Sequence, residues 1–124
     1  MPARRRTDPS AGRAAVAAWL EGDHARATTT TAVRFTLEEL AAVAPGNAVE
    51  VRVPPAGAVQ AVEGPRHTRG TPPNVVETDV ETWLALATGR AAWTDVLAAG
   101  RVHASGERAD LSSWLPLQAT RDRG

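Results

Sequence analysis

The stretch Val49-Glu50-Val51-Arg52-Val53 alternates apolar and charged side chains without a fault. Successive strand residues point to opposite faces, so this pattern fits a strand with one covered face and one wet face. A chain that builds such a strand must supply something apolar to cover it. Segments with helical spacing flank it on both sides, so the chain reads as a small α/β domain. Pro54-Pro55 then turns the chain, and Ala58 to Val62 is apolar enough for a second strand, with Pro-Pro-Ala-Gly as the hairpin loop.

Ahead of the strand, Ser10 can cap a first helix running to about Glu21, with Ala15, Val16, Trp19 and Leu20 on one face and Gly22 as its stop. The β-branched run Thr28–Thr31 reads as a linker or an extended lead-in. Thr36-Leu37-Glu38-Glu39 matches a capping box, so a second helix is expected to start at Thr36. Phe35 and Leu40 would form its hydrophobic staple, and Pro45-Gly46 would close it.

After the strand pair, Glu63 to Pro73 (EGPRHTRGTPP) is a loop by composition. Asn74 to Thr78 reads as a third strand leading into a helix capped by Thr78 or Asp79 and stopped by Gly89. Trp93 to Ala99 is a short helix, and Arg101 to Ser105 alternates as a fourth strand with Val102 and Ala104 on one side. Asp110 can cap a last helical turn or two through Trp114 and Leu115, limited by Pro116. The organisation expected is a disordered arm over residues 1–9, one domain over 10–117 and a flexible tail over 118–124.

Composition narrows the function classes. The 124 residues carry 14 basic and 14 acidic side chains, and every basic one is Arg. A balanced charge gives no general pull toward nucleic acid or an anionic membrane, so no nucleic-acid partner is expected. Absence of Cys removes disulfides, thiolate nucleophiles and Cys-ligated metals. No apolar run approaches the ~18 residues of a membrane span, and Arg4-Arg5-Arg6 is not followed by an apolar stretch of the signal-peptide kind, which makes the cytoplasm the default location. His24, His67 and His103 are scattered, with no HxH or HExxH, and the nucleotide-binding glycine motifs and the GxSxG elbow are missing. The expectation is therefore no enzyme, no cofactor and no metal.

Two features can recognise a ligand. Ala-rich chains have thin cores, and the four Trp, with no Ile and a single Phe, must carry much of the burial. Trp83, Leu84, Leu86, Trp93, Val96, Leu97, Trp114 and Leu115 read either as plain core or as the lining of an apolar pocket. The second is the loop from Glu63 to Asn74, where Arg66, His67, Arg69 and Asn74 place polar donors on a Gly- and Pro-rich backbone. Such guanidinium groups suit carboxylate or phosphate; the plainer reading is an ordered turn paired with Glu63 and Glu77.

The order of the second half resembles the sterol carrier protein-2 (SCP-2) family. Leu86-Ala87-Thr88-Gly89 matches its Leu-x-x-Gly helix, Trp93 to Ala99 its short helix, and Gly100 to Gly106 its glycine-bounded strand, with Asp110 to Leu117 where the family places a closing helix. The combination VEVRVPP…AVQAVEGPRHTRGTPPNVVETD is similar to the bacterial, actinobacterial SCP orthologue group. This resemblance implies an α+β, SCP-2-like fold: a small, mostly antiparallel twisted sheet of four to five strands backed by about four to five helices. It also implies non-enzymatic binding or transfer of an apolar or acyl-type ligand, such as a lipid, between sheet and helices. Two alternatives stand beside that reading: a protein-interaction or accessory module without a lipid cavity, and capture of a small anionic ligand at the Glu63–Asn74 loop.

Overall fold

A computed structural model describes residues 5–64 and 74–121. The alternating segment forms β1 (Val49–Val53), which pairs antiparallel with β2 (Gly57–Ala61) in the register Val51↔Val59. On its other side β1 pairs in parallel with β3 (Asn74–Thr78), and β3 pairs antiparallel with β4 (Val102–Ser105). Among the described residues the result is a four-stranded mixed sheet in the order β2-β1-β3-β4, with two of its three ladders antiparallel. Val49, Val51, Val53, Ala61 and Val76 are buried on one face. On the opposite face Arg52 bonds Glu50 at 2.9 Å and reaches Glu77 at 3.8 Å.

The helices supply the apolar cover. In α1 (Pro9–Leu20) the buried positions are Gly12, Val16 and Trp19, one stripe at helical spacing. Its cap is Asp8, whose carboxylate accepts from the Ala11 amide at 3.0 Å, so the helix starts ahead of the expected Ser10. Gly12 is there because Phe35 presses on the helix: a Cβ at Gly12 would collide with the Phe35 ring.

The largest departure from the expected layout is α2 (Arg26–Val43), a single helix through both the threonine run and the supposed capping box. The reason is energetic. Threonine in a helix interior costs at most ~0.7 kcal/mol relative to Ala, whereas burying a Phe or Leu contributes about 1.5–3 kcal/mol, and Phe35, Leu37 and Leu40 are all fully buried here. Thr36 lies mid-helix; its hydroxyl donates to the Ala32 and Val33 carbonyls at 2.8 and 3.0 Å. The start of α2 is held instead by Asp23, which accepts from the Ala25 amide at 3.0 Å and the Thr28 hydroxyl at 2.9 Å.

Thr78 ends β3, and α3 (Val80–Thr88) follows at once, capped by Asp79, whose Oδ1 accepts from the Thr82 amide at 2.8 Å. Gly89 takes the left-handed conformation that ends it, at φ 83°. The short α4 (Trp93–Ala98) leads into β4. Val102 is buried but Ala104, on the same side of the strand, is exposed. Beyond β4, Asp110 does not cap a helix; it accepts from the Ser112 amide at 2.9 Å in a turn. The closing helix is α5 (Gln118–Arg121), in the stretch expected as a tail. It is anchored where the Leu117 amide and the Thr120 hydroxyl both donate to the Ala87 carbonyl, at 2.9 and 2.7 Å.

One polar cluster fastens the α1–α2 corner to α3. The His24 ring stacks on Trp19 with centroids 4.7 Å apart and planes 7° from parallel. Glu81 lies 3.2 Å from His24 Nδ1, and the Arg90 guanidinium sits 5.7 Å from the Trp19 ring centroid.

Candidate functional site

The helix α2 packs against β2, the edge strand of the sheet, and a groove of about 750 Å³ runs along their junction. Arg34, Leu37, Glu38 and Ala41 line its helix side. These are positions i, i+3, i+4 and i+7, a single stripe of one helix. Its strand side is the unbroken run Ala56–Gln60, and Pro45, Gly46 and Asn47 line the end beyond the helix. Leu37, Ala41 and Ala56 are buried, and with the half-buried Val59 they give the groove an apolar floor.

The polar groups are distributed unevenly in their availability. Glu38 is already engaged: it accepts from the amides of Arg6 and Thr7 at 3.2 and 3.1 Å and from the Thr7 hydroxyl at 3.4 Å. Next to it, Glu39 pairs with Arg5 at 2.7 Å. Residues 5–7, expected to belong to a disordered arm, are thus laid onto α2, and Arg6 and Thr7 help line the groove. Arg34 donates through Nε to the Ala56 carbonyl at 2.8 Å, which fixes the plane of its guanidinium and leaves its two terminal nitrogens. Among the described residues neither Arg6 nor Arg34 forms an ion pair. The groove therefore combines an apolar floor with guanidinium donors suited to a carboxylate or phosphate.

The residues singled out from sequence lie elsewhere. Trp83, Leu84 and Leu86 are fully buried, Trp93 and Val96 are buried, Trp114 and Leu115 pack half-buried against them, and Leu97 is 42% exposed. None of these eight lines the groove. Arg66, His67 and Arg69 fall outside the described residues. Asn74 is a structural pin: its Nδ2 donates to the Ala48 carbonyl at 2.8 Å and its Oδ1 accepts from the Arg108 amide at 3.1 Å. Glu38 falls inside the Thr36–Glu39 capping-box match, and Arg34 and Ala41 belong to no motif of their own. The available signal was the stripe Arg34, Leu37, Glu38, Ala41 beside an edge segment without a charge. Among the described residues no group of three or more His, Asp or Glu is placed to hold a metal ion. No described helix is long and apolar enough to cross a membrane.

Helices on one face of a small mixed sheet, in this element order, define an SCP-2-like α+β domain. Residues 25–117 match the family described as bacterial SCP ortholog, and the chain belongs to that family. The match opens one residue before α2 and covers the groove from Arg34 to Gln60; Arg6 and Thr7 stand outside it. No curated protein matches the chain.

Proposed function

We propose that this protein is a non-enzymatic carrier of an apolar or acyl-type ligand, held between sheet and helices in the groove along α2 and β2. The observation that carries the reading is the groove's composition. Leu37, Ala41, Ala56 and Val59 offer an apolar floor, and the free end of the Arg34 guanidinium lies beside it. Ligand sites are concave and set a few placed polar groups beside apolar surface, in volumes of roughly 300–1,000 Å³. Membership of the bacterial SCP family supports a lipid-carrier role. In this reading Trp83, Leu84, Leu86, Trp93 and Val96 are the packed scaffold behind the site, and the protein works in the cytoplasm.

The test is an amide NMR titration of delipidated protein with palmitate and with a neutral sterol. Saturable shifts centred on Leu37, Ala41 and Val59 are expected for at least one of them, and Val59→Arg should abolish them while leaving the remaining spectrum in place. Shifts scattered over the surface, or none, would remove the reading. Intrinsic tryptophan emission is the poorer probe, since none of the four Trp lines the groove.

A further inference from the structure

A cleft that lies over one face of a strand touches every second residue, because side chains alternate. The groove beside α2 touches five consecutive residues, Ala56 to Gln60, four of them in β2. That is the signature of a cleft running along the edge of a strand. Among the described residues β2 has a neighbour on one side only, so alternate backbone N–H and C=O groups on its other side face the groove.

Exposed edges are normally blunted by charged side chains, prolines or bulges. The edge β2 carries none of these: Gly57-Ala58-Val59-Gln60-Ala61 has no charge and no proline. At ~3.3 Å per residue its five residues span roughly 16 Å, and the α2 stripe from Arg34 to Ala41 runs about 10 Å alongside. A strand template on one wall and a helix stripe on the other is the arrangement used to capture extended peptides by strand addition.

We infer that this groove takes an extended peptide as a fifth strand on β2, running antiparallel to it with its C-terminal carboxylate at Arg34. The direction follows from charge. Arg6 and Arg34 are both free of ion pairs among the described residues, but only the Arg34 guanidinium is fixed on the strand, through the Ala56 carbonyl at the Gly57 end of β2, whereas Arg6 is held through its amide on Glu38. A carboxylate at that end is matched; a cationic end is not. The inference shares the groove and Arg34 with the acyl reading but draws on the backbone of β2 rather than on the apolar floor.

The probes are short acetylated peptides of alternating Thr and Val ending in Asp or Glu, titrated into the full chain and followed by amide NMR. Expected are saturable shifts and slowed amide exchange along Gly57–Ala61. A scan of N-methylated peptides should abolish binding at alternate positions and leave the intervening ones intact, because only every second peptide N–H faces β2. Arg34→Ala, and separately a C-terminal amide on the peptide, should each weaken binding by about tenfold or more, with circular dichroism of the variant unchanged. Absence of saturable shifts across the peptide set overturns strand addition, as does binding indifferent to N-methylation. Equal affinity of acid and amide peptides overturns the assigned direction. Palmitate and the neutral sterol both failing to bind while the peptides do would leave this inference standing and remove the carrier reading alone.

Discussion

The indole Nε1 of Trp83 donates to the hydroxyl of Thr36 at 2.8 Å, with both side chains fully buried and 47 residues apart in the chain. The contact ties the middle of α2 to α3. It also completes the Thr36 hydroxyl, which gives its own proton to the turn before it. Thr36→Val keeps the shape and leaves the indole N–H unpaired in the core. A buried donor without a partner costs about 1–3 kcal/mol, and urea unfolding followed by circular dichroism should show a loss of that size. Trp83→Phe in the Thr36→Val background should cost less than the sum of the two single changes, because the orphaned N–H is then gone.

Gly12→Ala sets two effects against each other. Helix propensity favours Ala by up to ~1 kcal/mol. The added methyl, however, meets the ring of Phe35, which is fully buried and has nowhere to move. Overpacking of a tight core costs about 1–3 kcal/mol. The expected outcome is a net loss of stability with a lowered melting temperature, and Gly12→Ser should be at least as harmful.

Glu38→Ala removes the acceptor that holds the amides of Arg6 and Thr7. Limited trypsin digestion followed by mass spectrometry should then release the N-terminal residues through Arg6 faster than in the parent chain. Because these contacts lie at or near the surface, global stability should change by less than ~1 kcal/mol. A large drop in stability would mean that residues 5–7 belong to the fold rather than to the rim of the groove.

Asp23 and Asp110 account for part of the acid response. Hydrogen bonds from the Ala25 amide and the Thr28 hydroxyl hold the Asp23 carboxyl below the ordinary carboxylate value. Side-chain and backbone bonds from Ser112 do the same for Asp110. A carboxyl depressed in the folded state binds its proton more readily once unfolded. Its contribution is therefore complete above about pH 4 and is lost as the pH falls through the lower folded value. Asp23→Asn with Asp110→Asn can keep the backbone bonds without the charge. Urea midpoints measured from neutral to strongly acid pH should fall less steeply for the double variant than for the parent.

What could be read from sequence was what local chemistry decides. The alternation of Val49–Val53 marks β1, and Asp79 with Gly89 brackets α3, because strand faces and helix caps are settled within a few residues. Thr36-x-x-Glu39 imitated a capping box, yet Trp83 and the turn before it claim the hydroxyl, a choice made by tertiary packing. The same packing carries α2 through Thr28–Thr31 against local preference, with Thr29 buried among its neighbours. Asp110 offered the residue type of a cap but meets only Ser112 in a turn. The groove was hidden for another reason. Its two walls, Arg34–Ala41 and Ala56–Gln60, are remote in sequence, and only the docking of α2 on the edge strand brings them together.

The parallel ladder between β1 and β3 has a bearing on how the chain assembles. On one side of it stand α1, α2 and the β1–β2 hairpin; on the other, β3 through β4 forms its own strand-helix-helix-strand unit. Each half is built from neighbours in sequence, so each can gather early, whereas the ladder must wait for the two to meet. Asn74 spans that meeting line, bonded to Ala48 on one side and to Arg108 on the other. Trp83 on Thr36 and Glu81 beside His24 join the same two pieces from the helix side, so the pieces, made as separate polypeptides, should find each other and close through strand ladder and helix packing together.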